Sequence, residues 1–173
     1  IIDCDEIARD VVVPGTDAYN RIVDYFGSEV VQADRTLDRA KLGEMVFGSP
    51  MKRKALNSIT SQPIFWAVIR RIFHEMFIAR SDVVILDAPL LFETKVFCYL
   101  IKFSVVVYVK PQIQLQRLMA RNGYSSPEAQ QRINSQMPLD DKVRQARYVI
   151  DNSGEKDELR CQVDTLYAKF RES

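Results

Sequence analysis

Two aspartates one residue apart, Asp3 and Asp5, follow the apolar pair Ile1-Ile2, and Arg9 comes four residues after Asp5. Carboxylates at the end of a strand can orient a hydroxyl, take its proton or hold a divalent cation, and a nearby guanidinium can pair with phosphate. The same acids can equally cap a helix or shape a turn. A further acid, Asp87, closes the apolar run Val83-Val84-Ile85-Leu86 and leads into Pro89-Leu90-Leu91-Phe92-Glu93. A hydrophobic strand ending in aspartate suits the organisation of Mg²⁺ beside a nucleotide. A solvated strand end is the plain alternative.

A cationic set lies further along. Gln114, Arg117 and Arg121 are spaced three and four residues apart, so they share one side of a helix. Arg132 falls on the next predicted helix, and Arg144 and Arg147 follow. Arginine-bearing helices flanking the Asn122-Gly123 turn can close over phosphates, for which planar guanidinium groups are suited. A solvated charged face is the competing account. The single histidine, His74, has no metal-ligand spacing around it and reads as a surface residue. Phe65 and Trp66 read as core, with aromatic contact to a ligand as the alternative.

These residues need a scaffold. Apolar, β-branched runs at Ile1-Ile2-Asp3, 83–87, 104–109 and 148–150 predict strands buried on both faces, as in a parallel sheet. Helical patterns separate them. Ile69, Ile72, Phe73, Met76 and Phe77 predict one apolar face, with Arg70, Arg71, His74 and Glu75 opposite. Ser49-Pro50 and Ser126-Pro127-Glu128 read as helix starts, and Asn152-Ser153-Gly154 as the turn before a last helix over about 157–170. Alternating strands and helices predict an α/β layer fold with a long helical excursion between residues 34 and 79. Ligands of such sheets bind beyond the carboxyl ends of strands, where Asp3, Asp5 and Asp87 fall.

With 173 residues, 47% hydrophobic and 27% charged, the chain suits one globular domain. A net charge of +1 argues against a generally basic nucleic-acid binder. The longest apolar stretch, 97–109, is interrupted by Lys102 and Ser104 and is too short to span a bilayer. Cys4, Cys98 and Cys161 are widely spaced and odd in number, which predicts free thiols in a reducing compartment, the cytosol by default. Mitochondria are the alternative, by way of a segment ahead of Ile1. The sequence leaves oligomeric state open.

Ile2-Asp3-Cys4-Asp5 with Ala8-Arg9 resembles the D-x-D…A-R segment of dephospho-CoA kinases. Arg39-x-x-Leu42-Gly43-x-x-Val46-Phe47, the P-L-L-x-E signature at 89–93, the lid start at Gln114 to Arg121, Arg132, Gln136 and Ile150-Asp151-Asn152-Ser153-Gly154 complete the series in order. The runs LDAPLLFET and YVIDNSGE look most like the eukaryotic dephospho-CoA-kinase-domain-containing branch. The resemblance implies a three-layer α/β/α P-loop NTPase fold over residues 1–173, with a helical acceptor-binding subdomain at 34–80 and a lid at 112–147. It implies ATP-dependent phosphorylation of the ribose 3′-hydroxyl of dephospho-CoA, with Mg²⁺.

By that resemblance Asp5 is the catalytic acid, and Asp3, Arg9, Pro89, Leu90, Leu91 and Glu93 bind the acceptor. Arg117, Arg121, Arg132, Asn152 and Gly154 bind ATP, and Asp87 holds the metal. The alternative is a catalytically inactive, kinase-like protein that binds a CoA-type ligand or a partner. The sequence departs from the family pattern twice. The G-x-x-x-x-G-K-[ST] loop and its strand do not occur in the 173 residues, and Gln62-Pro63 replaces the usual His-Pro. Omitting a central strand would leave several buried backbone groups unpaired at about 1–3 kcal/mol each, against a stability of about 5–15 kcal/mol. The expectation is therefore a truncated chain whose natural form carries an upstream segment.

Overall fold

The computed structural model describes residues 1–171, which fall into two compact units, Ile1–Ala88 and the chain from Pro89 onward.

The first unit begins with β1 (Ile2–Asp3) and α1 (Cys4–Asp10), continues through α2 (Asp17–Phe26), a short 3₁₀ turn (Ser28–Val30), α3 (Arg39–Phe47) and α4 (Pro50–Phe73), and ends with β2 (Leu86–Asp87). β1 and β2 pair in parallel, Ile2 opposite Leu86 and Asp3 opposite Asp87. The strand expected over 83–87 is thus ordered as a ladder only at its end, because β1 offers it two residues.

The core of this unit follows from helical spacing. Ala18, Ile22 and Phe26 recur every four residues on α2 and are buried with Val30, Leu37, Leu42 and Ile59. Thr16 starts α2 correctly: its hydroxyl accepts from Tyr19 N–H (3.2 Å) and donates to the Val11 and Val13 carbonyls (2.9 Å each). Gly27 ends it at φ 89°, a left-handed conformation that favours glycine. Fully burying Ile22 contributes about 1.5–3 kcal/mol of transfer free energy.

Ser49 caps α4 by accepting from Lys52 N–H (3.3 Å), as its sequence predicts. Two expectations for α4 fail. Trp66 is 63% exposed rather than core. The apolar stripe toward the helix end stays largely open: Phe73, Met76 and Phe77 are exposed, while Val68 is fully buried. The helix packs on α1, α2 and α3, and its last turns run beyond them into a π-turn (His74–Ile78) where Phe73 and Phe77 cover one another at 4.6 Å.

The second unit holds α5 (Leu91–Thr94), β3 (Val105–Tyr108), α6 (Pro111–Asn122), α7 (Ser126–Asn134), α8 (Leu139–Gln145), β4 (Tyr148–Asp151) and α9 (Lys156–Arg171). β3 and β4 pair in parallel from Val105–Tyr148 to Tyr108–Asp151. A parallel pair needs a crossover, which α6, α7 and α8 provide. These strands are covered on one face only: Val106 and Ile150 are buried, whereas Val107 and Val149 alternate outward and are exposed. The rings of Phe103, Tyr148 and Phe170 pack together at 5.2–5.6 Å and bind the end of α9 to the start of the strands. The α7 cap is Ser125, one residue before the expected Ser126, because Glu128 closes a capping box on Ser125.

Candidate active site

The carboxyl ends of β1 and β2 bring three aspartates together. Asp3 and Asp87 are register partners at the sheet tip. Asp3 is also the N-cap of α1: its Oδ1 accepts from Asp5 N–H (2.8 Å) and Glu6 N–H (3.0 Å). That capping fixes where Asp5 stands, in the first helical turn, where the helix dipole favours an acid. Between them, the Cys4 thiol is pushed up to about 11, mainly by burial and then by the negative charges of Asp5, Asp87 and Asp3 in that order. The charges of all three acids are thus felt at one thiol. Asp5 is exposed, and among the described residues it forms no ion pair. Arg9, one turn further along α1, is exposed and equally unpaired.

Beside this tip runs a groove of about 950 Å³, within the size range of ligand sites. One wall is acidic, with Asp3, Glu6 and Asp10. The other comes from α4, with Trp66, Arg70, Arg71 and His74. Arg71 is held by Glu75 at 3.2 Å. From sequence, only Trp66 of this wall is offered as a ligand contact, and then as the alternative to core. The signal for the wall was the four-residue spacing of Trp66, Arg70 and His74, which puts an aromatic ring and two basic groups on one face. Pro63 also lines the groove, inside α4 and next to Gln62.

In the second unit the 89–93 loop forms a compact knot. Glu93 Oε1 accepts from Lys142 Nζ (2.7 Å) and from Met137 N–H (3.1 Å), and the same ammonium donates to the Pro89 carbonyl (3.1 Å). Burial alone would raise the Glu93 carboxyl. The Lys142 hydrogen bond, the backbone donors and the Lys142 charge outweigh it and hold the group below the usual carboxylate range. Leu90 is half exposed ahead of the single turn of α5, and Leu91 opens that turn.

Of the residues that the resemblance gives to ATP, Arg117, Asn152 and Gly154 meet at the end of β3 and β4, while Arg121 and Arg132 contact only their own neighbours among the described residues. Arg117 Nη1 donates to the Asn152 carbonyl (2.7 Å), and Asn152 N–H donates to the Tyr108 carbonyl (2.8 Å). Ser153 Oγ accepts from Lys110 N–H (2.9 Å), while Ser153 N–H donates to Asp151 (2.8 Å). Gly154 follows, where an added Cβ would run into a Glu158 carboxylate oxygen. Arg121 lies one turn beyond Arg117 and donates to Asn122 Oδ1 (3.0 Å). Arg132 stacks over the Tyr124 ring at 4.3 Å. Of the later arginines, Arg144 pairs with Asp141 on its own helix.

No group of three potential metal ligands occurs among the described residues. No helix among them is long and apolar enough to cross a membrane. Cys4, Cys98 and Cys161 are free thiols.

A solved Thermus thermophilus structure superposes with a TM-score of 0.76 at 26% identity, covering 97% of this chain and 83% of its own. A Campylobacter jejuni dephospho-CoA kinase superposes at 0.72, with 23% identity over 99% of this chain and 84% of its own. Parallel strands flanked by helices and this likeness define a three-layer α/β/α fold of the P-loop NTPase class, with acids at its strand tips. The dephospho-CoA kinase family profile matches residues 1–158. Among curated relatives, a dephospho-CoA kinase of Carboxydothermus hydrogenoformans is 47% identical over 171 residues, 99% of this chain and 82% of the relative. A dephospho-CoA kinase domain-containing protein of Danio rerio is 46% identical over 170 residues, 98% of this chain and 74% of the relative. The chain belongs to the dephospho-CoA kinase family.

Proposed function

We propose that Asp5 orients and deprotonates the acceptor hydroxyl as this kinase transfers the γ-phosphate of ATP to the ribose 3′-hydroxyl of dephospho-CoA, giving coenzyme A. One observation carries the assignment. Among the three aspartates at the β1–β2 tip, Asp3 is occupied in capping α1, whereas Asp5 is exposed and unpaired on a helix turn that the cap fixes. A general base must reach the proton it takes, and Asp5 is free to do so.

Arg9 and the 89–93 loop contact the acceptor in this reading, and the helices over 34–80 form its subdomain. The region 112–147 is the lid, with Arg121 and Arg132 turned to phosphate. Arg117 holds the Asn152 carbonyl and so shapes the nucleotide-binding turn with Gly154. Phosphoryl transfer runs through a loose transition state, so these groups act by placing charge and excluding water more than by covalent chemistry.

Mg²⁺ fits the donor set at Asp87. That carboxylate is exposed at the strand tip and forms no ion pair among the described residues. Mg²⁺ needs only one or two carboxylates when phosphate oxygens and water complete its shell. Bound there, it neutralises phosphate charge. Three free thiols suit a reducing compartment, and the cytosol is the reading they support.

The test is Asp5→Asn in the complete gene product. Turnover of dephospho-CoA should fall by about 10²–10⁴, the usual contribution of a positioned base, while ATP affinity changes little. Unchanged turnover removes Asp5 from the role.

A further inference from the structure

Lys142 is the one charged residue that reaches the buried class among the described residues, at 9% exposure. Lysine is rarely buried unless paired. Here its ammonium spans two anchors, Glu93 Oε1 at 2.7 Å and the Pro89 carbonyl at 3.1 Å. Met137 N–H supplies Oε1 with a second donor at 3.1 Å. The other carboxylate oxygen, Glu93 Oε2, is buried and has no hydrogen-bond partner among the described residues. A buried, ionised oxygen without a donor is a costly arrangement and calls for an explanation. A strut made only for stability would use both oxygens, or would replace the pair with apolar side chains at little cost.

We propose that Lys142 is a positioning residue for the acceptor, holding the 89–93 loop in its binding shape through Glu93 and the Pro89 carbonyl. This rests on reading 89–93 as the acceptor loop. Lys142 and Met137 fix one Glu93 oxygen, and Lys142 also fixes the loop backbone at Pro89, so both ends of the loop are tied to one ammonium. The Lys142 hydrogen bond and charge help keep Glu93 ionised, so the anchor of the loop persists.

Steady-state kinetics on the complete gene product decide it. Lys142→Met should raise the KM for dephospho-CoA by about tenfold or more, the worth of a hydrogen bond to a charged group, and leave the KM for ATP within about twofold. Lys142→Arg should restore most of the acceptor affinity. Adding Glu93→Gln to Lys142→Met should give no larger loss than Glu93→Gln alone, because both act through one oxygen. Wild-type acceptor KM in a folded Lys142→Met, or an equal rise in both KM values, overturns the proposal. Glu93→Gln keeps the shape of the knot if Lys142→Met does not fold, and an unchanged acceptor KM there overturns it as well. Leu90→Ala separates the two levels. Wild-type acceptor KM in that variant removes the acceptor-loop reading itself, whereas a raised KM there beside an unaffected Lys142→Met removes only the part given to Lys142.

Discussion

The acids of the two units are arranged in opposite ways. At the β1–β2 tip, Asp3, Asp5 and Asp87 are exposed and carry no ion pair among the described residues, and their charges are felt at Cys4. In the second unit, Glu93 is mostly enclosed and shares one oxygen between an ammonium and a backbone N–H. Apart from Asp3, which caps α1, such exposed and unpaired carboxylates contribute almost nothing to stability and remain free to meet a ligand. A buried, paired one stabilises by its geometry, and removing its counter-ion leaves charge with nowhere to go. Reactivity and rigidity are thus carried by different acids, and substitutions should separate them.

The largest expected separation is at Asp5. The Asp5→Asn loss of about 10²–10⁴ in turnover should come with a thermal midpoint near wild type, since removing one charge at a helix start costs only about 0.3–1 kcal/mol. A variant that loses activity because it melts would make Asp5 structural and dissolve the contrast. Lys142→Met should do the reverse to stability. Breaking the pair should cost about 3 kcal/mol in urea unfolding, the low end for a buried ion pair because Glu93 keeps some solvent contact. Lys142→Met combined with Glu93→Leu should recover much of that loss. A single variant as stable as wild type would mean that the pair is effectively solvated.

The same pair predicts acid sensitivity. Glu93 titrates below its ordinary value when folded, so its contribution is whole above the ordinary carboxyl range near 4.3 and is lost as pH falls through the lower folded value. Urea midpoints from pH 7 down to 3 should therefore fall less steeply in Glu93→Gln than in wild type. Parallel curves would show that other carboxylates govern acid unfolding. A smaller effect belongs to Asp3. Losing its cap in Asp3→Ala should cost about 1 kcal/mol, and Asp3→Ser should restore most of it, as measured by thermal melts.

The acid tip was legible in the sequence because an apolar run ending in aspartate signals both a strand and its carboxyl end. The Arg117–Asn152 contact was partly legible, as two motifs that the family resemblance gives to one ligand. Lys142 was not. Its helix reads Leu-Asp-Asp-Lys-Val-Arg-Gln, and only the inward spacing of Leu139, Lys142 and Val143 hints that a charge is buried. The partner that makes this tolerable, Glu93, is far away in sequence, and burial of a charge is decided by such a partner. Trp66 failed in the opposite sense. Apolar character marks a residue that gains from burial, but which face of α4 finds a neighbour is settled by where α1, α2 and α3 pack. Ser125 and Ser126 were separated only by which of them Glu128 reaches.

The finest probe of the tip is Cys4, placed among the three acids without taking part in the chemistry. Its thiol is raised from an ordinary 9.0 to about 11, mainly by burial and then by Asp5, Asp87 and Asp3. At pH 8 that shift lowers the thiolate fraction roughly 100-fold, while the greater nucleophilicity of a more basic thiolate returns roughly tenfold. Iodoacetamide should therefore modify Cys4 about tenfold more slowly than an unstructured cysteine peptide. Asp5→Asn or Asp87→Asn should quicken the reaction only modestly, because burial is the larger cause. The same group links to stability with the opposite sign from Glu93: its contribution is whole below pH 9.0 and is lost as pH rises through about 11. If Cys4 reacts as fast as the peptide, the acids do not crowd it. The picture of three negative charges gathered at one strand tip, on which the assignment of Asp5 and Asp87 depends, would then have to be redrawn.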